Sequence, residues 1–140
     1  MMADTLTSER RSWNMSRIRG RDTRPELVLR SLLHRAGFRF RLHAKQLPGR
    51  PDIILPRYRT AIFVHGCFWH RHFGCRNAAT PSTRREFWQA KFDGNVSRDA
   101  RNQAALEAAG WTVLTVWECE LKSDAEGVAR RLATELRKDD

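Results

Sequence analysis

The stretch that most constrains this chain is Ile62-Phe63-Val64-His65-Gly66-Cys67-Phe68-Trp69-His70-Arg71-His72-Phe73-Gly74-Cys75. It opens as an apolar strand and ends in a dense group of thiols, imidazoles and aromatic rings. Cys67, His72 and Cys75 stand at C-x4-H-x2-C spacing, close enough for three ligands to meet on one ion. The remaining cysteine is Cys119, in Trp117-Glu118-Cys119-Glu120. Three cysteines and a histidine make a Cys3His set, the tetrahedral cage that zinc favours. A zinc closed off by four protein ligands offers no position to a substrate, so its expected role is structural. The bland alternative is a pair of buried thiols with a histidine beside them by chance.

Two histidines of the run, His65 and His70, are left over. A structural zinc does not need them, and the surrounding loop is too polar to be simple core. They are the first candidates for chemistry.

Composition narrows what that chemistry acts on. At 140 residues the chain suits one domain with a real core. Lysine and arginine total 26 against 16 acidic residues, a formal net charge of +10. Such a surplus reads as attraction to a polyanion, either nucleic acid or an acidic membrane surface. No apolar run approaches a bilayer span, and the N-terminus has no signal-peptide core. An odd cysteine count, clustered with histidines, argues against disulfides and for a reducing cytoplasm.

Residues 1–21 are polar and arginine-rich and read as a flexible basic arm, with residues 22–140 forming the single folded domain. Such an arm lies along phosphates or in a minor groove, or is simply a solvated tail. Thr23-Arg24-Pro25-Glu26 predicts a helix start, with Thr23 as N-cap and Glu26 at the capping-box position. Local sequence alone favours that structural job for Glu26 over catalysis. Val28, Leu29, Leu32, Leu33 and Ala36 follow at helical spacing, and Gly37 stops the helix. Phe38 to Leu42 alternates as a half-exposed strand. Asp52-Ile53-Ile54-Leu55 reads as a short buried strand, Pro56 to Arg59 as a hairpin loop, and Thr60 to Val64 as the returning partner. Pairing Leu55 with Thr60 sets Asp52 opposite Phe63, near His65, so a carboxylate, the Val64 carbonyl and an imidazole converge at one end of the sheet. An aspartate opening an apolar strand is costly to bury unless it binds something.

Thr83-Arg84-Arg85-Glu86 predicts a second capped helix carrying Phe87, Trp88 and Phe92 and broken at Gly94. Another helix is expected from about Val96 to Ala109, with Asp99 in its first turns. Trp111 to Trp117 is the most strand-like run of the chain. A strand–helix–strand order permits a parallel crossover, which ends both strands together and puts Cys119 beside Cys67. Asp124 to Lys138 closes the chain as an amphipathic helix with Val128, Leu132 and Leu136 inward.

Several blocks taken in order resemble one family. Pro48-Gly49-Arg50-Pro51-Asp52, His65 to His70, Arg85-Glu86-Phe87-Trp88, Asn95 to Asp99 and Trp117-Glu118-Cys119 are similar to the very short patch repair endonucleases. The likeness runs from about Asn14 to Cys119. It implies an α/β, restriction-endonuclease-like fold: a mixed central sheet flanked by helices, with a structural zinc site. It also implies nicking of duplex DNA beside the thymine of a T:G mismatch left by deamination of 5-methylcytosine. On the resemblance, Asp52 is the carboxylate holding two catalytic Mg2+ ions, with the Val64 carbonyl as a further ligand. His70 is the base, supported by Asp99, and Glu26 and His65 hold metal-bound waters. One zinc falls on Cys67, His72, Cys75 and Cys119. Phe68, Trp69 and Trp88 are the wedge entering the base stack. Expected partners are mismatched double-stranded DNA, a functional link to a cytosine-5 DNA methyltransferase, and the mismatch-repair machinery. A monomer in the cytoplasm, on the bacterial nucleoid, is expected.

Read from the residues alone, Asp99 remains open as a surface ion-pairing acid and Trp88 as core. The chain also departs from the family pattern, with Val64 where threonine is common and Arg71 in place of a further histidine. The competing readings are a homing or restriction-type nuclease acting on matched DNA and a zinc-stabilised DNA-binding module without catalysis. The signature lysine of restriction enzymes is absent after Val64, a gap that a histidine base fills.

Overall fold

The computed structural model describes residues 23–138, so the basic arm expected over residues 1–21 lies outside the described residues. Helix α1 (Arg24–Arg35) starts after an extended Thr23, carries Pro25 in its first turn and ends at Gly37, whose φ of 98° is left-handed. The expected cap does not form, because the Thr23 side chain makes no capping bond. Glu26 turns inward instead, is only 2% exposed and pairs with Arg30 one turn on at 2.8 Å. Leu29 and Leu33 fill the core, whereas Val28, expected inward, is exposed.

Four strands follow: β1 (Arg41–Leu42), β2 (Ile53–Leu55), β3 (Thr60–His65) and β4 (Thr112–Trp117). They form one sheet in the order β1-β2-β3-β4, antiparallel except for the parallel β3–β4 pair. β1 is shorter than the sequence suggests, since Phe38 is drawn into the core and His43 takes a left-handed φ of 49°. The hairpin register is the expected one. Leu55 faces Thr60 and Ile53 faces Ile62 across a short 3-10 turn at Pro56–Tyr58.

Both faces of the sheet are covered, which is why β2 and β3 read as continuous apolar runs rather than alternating ones. Ile53, Leu55, Ile62 and Val116 pack with residues of α1 and α4 (Glu118–Arg137). Ile54, Ala61 and Phe63 pack on the other side with Leu106 of α3 (Arg85–Ala108).

α3 corrects two expectations. It begins after Arg84 with no side-chain cap, and it passes through Gly94 as one helix of 24 residues. A single interior glycine costs only about 1 kcal/mol, and the buried Phe92 and Asn95 on either side outweigh it. α4 also begins earlier than the amphipathic pattern shows. Its first turns carry Cys119 and Leu121, and the expected start at Asp124 is a kink with φ −156° and ψ 75°. Glu120 sets that early start by accepting the Trp117 N–H at 3.0 Å.

The turn before β2 is held against α3. Gly49 has a φ of 76°, and a Cβ there would lie 2.9 Å from the Asn102 Cβ. Glycine therefore lets the Pro48–Pro51 turn close on the helix that carries Asp99.

Candidate active site and metal cage

A cleft of about 290 Å³ opens at the end of the sheet where β2 begins and β3 ends. Its lining includes Glu26, Asp52, Val64, His65, His70 and Asp99, brought from α1, β3, α3, the residue before β2 and the short helix α2 (Cys67–His70). The hairpin register delivers the first contact, in which the Val64 N–H donates to Asp52 Oδ2 at 2.7 Å. Burial raises Asp52 to about 6, opposed by the Val64 N–H and reinforced by the nearby Glu26 carboxylate. Asp52 and Glu26, with His43, are close enough to hold a cation together, although Glu26 already pairs with Arg30.

His70 ends α2 and meets Asp99 across the cleft, with Nδ1 and Oδ2 at 2.6 Å. A carboxylate accepts from an Nδ1–H, and an imidazole held in that way has Nε2 available to take a proton. The His65 ring stacks on His70, with centroids 3.8 Å apart and planes within 4°. Burial, and then the proximity of His70, lowers His65 to about 4 against an opposing pull from Asp99, so His65 is neutral at physiological pH. A neutral His65 can lie against its neighbour without charge repulsion.

The Cys/His group lies behind α2. Cys67, His72, Cys75 and Cys119 offer ligand atoms that all fall within 4.8 Å of one another. His72 Nδ1 lies 3.7 Å from Cys67 Sγ and 3.3 Å from Cys119 Sγ. A tetrahedral zinc with bonds near 2.3 Å separates its ligands by about 3.8 Å, so the donor set and its spacing fit that ion. Burial, with the Cys119 and Cys75 thiols alongside, pushes Cys67 up to about 12, whereas the Asn77 backbone N–H holds Cys75 below the ordinary thiol value. A buried thiol of this kind loses its proton to solvent readily only when a cation binds the sulfur.

The three aromatic candidates also meet. Phe68 lies edge-on to Trp69 at 4.9 Å and to Trp88 at 5.7 Å, and Trp69 lies 6.0 Å from Trp88. Phe92 closes the group from below, 5.1 Å from Phe68 and stacked on Trp88. The Arg71 guanidinium caps it, 3.8 Å from the Phe92 ring, and donates to the Phe68 carbonyl and the Thr80 hydroxyl. Asn95, buried on α3, donates to the Trp69 carbonyl at 3.0 Å and fixes the cluster against that helix.

All thirteen residues singled out in the sequence thus fall into a cleft, a cage and an aromatic cluster that adjoin one another. The sequence reading missed His43, which stands with Glu26 and Asp52 as a second possible ligand group. The Arg30 guanidinium bonds both Glu26, at 2.8 Å, and His43 Nε2, at 3.1 Å. Extending the β1–β2 alternation by one residue would have found it, because the His43 N–H donates to the Asp52 carbonyl.

Comparison with known proteins adds a family to this description. The family model described as DNA mismatch endonuclease Vsr matches residues 3–76. The chain is 52% identical over 131 residues to the type II nicking enzyme V.XorIIP of Xanthomonas oryzae pv. oryzae, covering 94% of this chain and 95% of that protein. It is 49% identical over 121 residues to the DNA mismatch endonuclease Vsr of Escherichia coli, covering 86% and 77%. It is 42% identical over 124 residues to the type II nicking enzyme V.NmeAIP of Neisseria meningitidis, covering 89% and 88%.

Proposed function

The chain belongs to the DNA mismatch endonuclease Vsr family, and from that membership we propose that it is a Mg-dependent hydrolase that nicks duplex DNA beside the thymine of a T:G mismatch. Its source of substrate is deaminated 5-methylcytosine, which ties its work to a cytosine-5 DNA methyltransferase and to mismatch repair in the bacterial cytoplasm. The observation that carries the reading is the convergence of Asp52 and the His70–Asp99 pair on one cleft.

Asp52 and the Val64 carbonyl would hold magnesium directly, with Glu26 and His65 reaching it through waters, and an oxygen-rich inner set of this kind suits that ion. Magnesium, when bound, neutralises phosphate charge and makes an attacking water more acidic. His70 takes the proton of that water on Nε2, and Asp99 stabilises the resulting imidazolium while fixing the ring. Phe68, Trp69 and Trp88 form a wedge that unstacks a wobble pair at less cost than a matched one. Cys67, His72, Cys75 and Cys119 would hold a zinc, which when bound would tie the wedge helix to the sheet. The mixed sheet and its flanking helices support the reading of a restriction-endonuclease-like nuclease domain. Among the described residues no helix is long and apolar enough to cross a membrane.

The decisive experiment places a T:G duplex beside its T:A counterpart with Mg2+. Nicking confined to the mismatched strand supports the reading. Equal cutting of both duplexes assigns the protein to matched DNA instead, and binding without cutting leaves a DNA-binding module.

A further inference from the structure

The cage and the cleft share one side chain that neither cluster has claimed. Trp117 ends β4, paired in register with His65 at the end of β3. On one side its ring lies parallel to His72, with centroids 4.3 Å apart and planes within 9°. On another it meets the His65 ring edge-on at 5.3 Å. His65 in turn stacks on His70, and His70 bonds Asp99. A continuous series of ring contacts therefore runs from a cage ligand to the group opposite the carboxylate of α3.

The backbone of Trp117 is fixed independently of its ring. Its N–H is taken by Glu120, which is itself bonded to Arg131. Cys119 follows two residues later in the same turn, so cage and strand end are tied by the chain as well as by the stack. An indole has the breadth to cover one imidazole with its face while touching a second across the strand pair. A leucine at that site would reach neither ring with a flat surface.

We propose that Trp117 is a positioning residue, which carries the geometry of the Cys/His cage to the His65–His70 pair and so fixes the base toward the cleft. The inference rests on the nuclease reading above. It makes the cage part of the catalytic geometry rather than a remote brace.

The test uses the full chain, loaded with zinc, with three measurements on each variant: bound zinc per chain, affinity for a T:G duplex, and single-turnover nicking at saturating duplex with Mg2+. In Trp117→Leu, zinc and duplex affinity should hold while the nicking rate falls by about tenfold to a hundredfold, the scale of a small misplacement of a reacting group. Trp117→Phe, which restores a flat face over His72, should recover part of that loss. A Trp117→Leu protein with zinc retained and the rate unchanged overturns the proposal, as does a rate that falls only in proportion to lost zinc. If Trp117→Leu does not fold, Trp117→Phe is judged by the same measurements: a reduced rate with zinc held supports the role, and an unchanged rate refutes it. The unmodified protein and a parallel His70→Ala protein separate the two claims. If the unmodified protein does not nick the T:G duplex, the nuclease reading itself has failed. A His70→Ala protein that cuts normally leaves that reading standing but removes the base that Trp117 would position, and so overturns the proposal. A dead His70→Ala beside a fully active Trp117→Leu removes only the relay.

Discussion

The cage and the cleft are neighbours built in opposite ways. Three of the four cage ligands fall within Cys67–Cys75, a single turn of helix and its following loop, and only Cys119 comes from afar. The cleft takes Glu26 from α1, Asp52 from just before β2, His65 from β3, His70 from α2 and Asp99 from α3. Local ligands with little apolar packing of their own depend on what they bind. The loop that carries them exposes Phe73 almost entirely, at 99%. The cleft groups sit on strands and helices whose core is buried on both sheet faces, and their geometry follows from that core. A cage of this kind should fail by losing its metal, and a cleft of this kind by losing charge balance.

The largest expected effect tests the first half of that contrast. Protein purified without added zinc should carry one zinc per chain. Stripping it with a strong chelator should lower stability by several kcal/mol or more, because ligand binding in such sites is folding energy. Denaturant titration with and without chelator measures it. A midpoint that does not move would mean that the cage is only a pair of thiols beside a histidine.

The second prediction addresses charge in the cleft, in zinc-loaded protein without magnesium. Asp52 has a folded-state value of about 6 against an ordinary 3.8. The native state therefore binds the proton more tightly than the unfolded chain, and stability falls as pH rises from about 4 to 6. His65 is displaced the other way, to about 4 from 6.5, so its contribution to stability rises across that window and is lost as pH falls. Asp52→Asn keeps an acceptor for the Val64 N–H and removes the buried charge. It should stabilise the protein at pH 7 by up to about 3 kcal/mol, with the gain narrowing as pH drops through 6, and it should abolish nicking. A variant that is no more stable at pH 7 would show that Asp52 is solvated in place rather than strained for a cation.

The third concerns the base. His70→Ala should reduce the single-turnover rate by about a hundredfold, the usual scale for a general base, with duplex affinity retained. His65→Ala should be milder, because the proposed function gives His65 a supporting contact, beside its stack on His70, and not the proton transfer. Equal losses in the two variants would make the stacked pair one functional unit.

The contrast also explains what the sequence could disclose. Cage spacing is a local property, so Cys67, His72 and Cys75 were legible directly, and Cys119 followed once β3 and β4 were read as parallel neighbours. Asp52 and His65 were legible because the hairpin loop fixes the register of Leu55 on Thr60. Glu26 was not, because a glutamate in the first helical turn has an equally good local explanation. Only the packing of α1 on the sheet shows that it faces inward. Asp99 and Trp88 needed the course of α3, and the glycine between them suggested a break. A local propensity of about 1 kcal/mol lost to the tertiary contacts on either side of it.

That helix offers the smallest and most discriminating effect. α3 serves both the aromatic cluster, through Trp88 and Phe92, and the cleft, through Asp99. Gly94 lies between them, and a Cβ built there meets nothing within 4 Å. Gly94→Ala should therefore stabilise the protein by about 0.5–1 kcal/mol, through reduced freedom of the unfolded chain and better helix propensity. Thermal denaturation should show a rise of a few degrees, and nicking of a T:G duplex should be unchanged if α3 already acts as a rigid rod. A stabilised enzyme that nicks more slowly would instead reveal that α3 bends at Gly94 when the wedge enters DNA. The cluster and the cleft would then be joined by a hinge, and the bend that the sequence suggests would belong to the bound state.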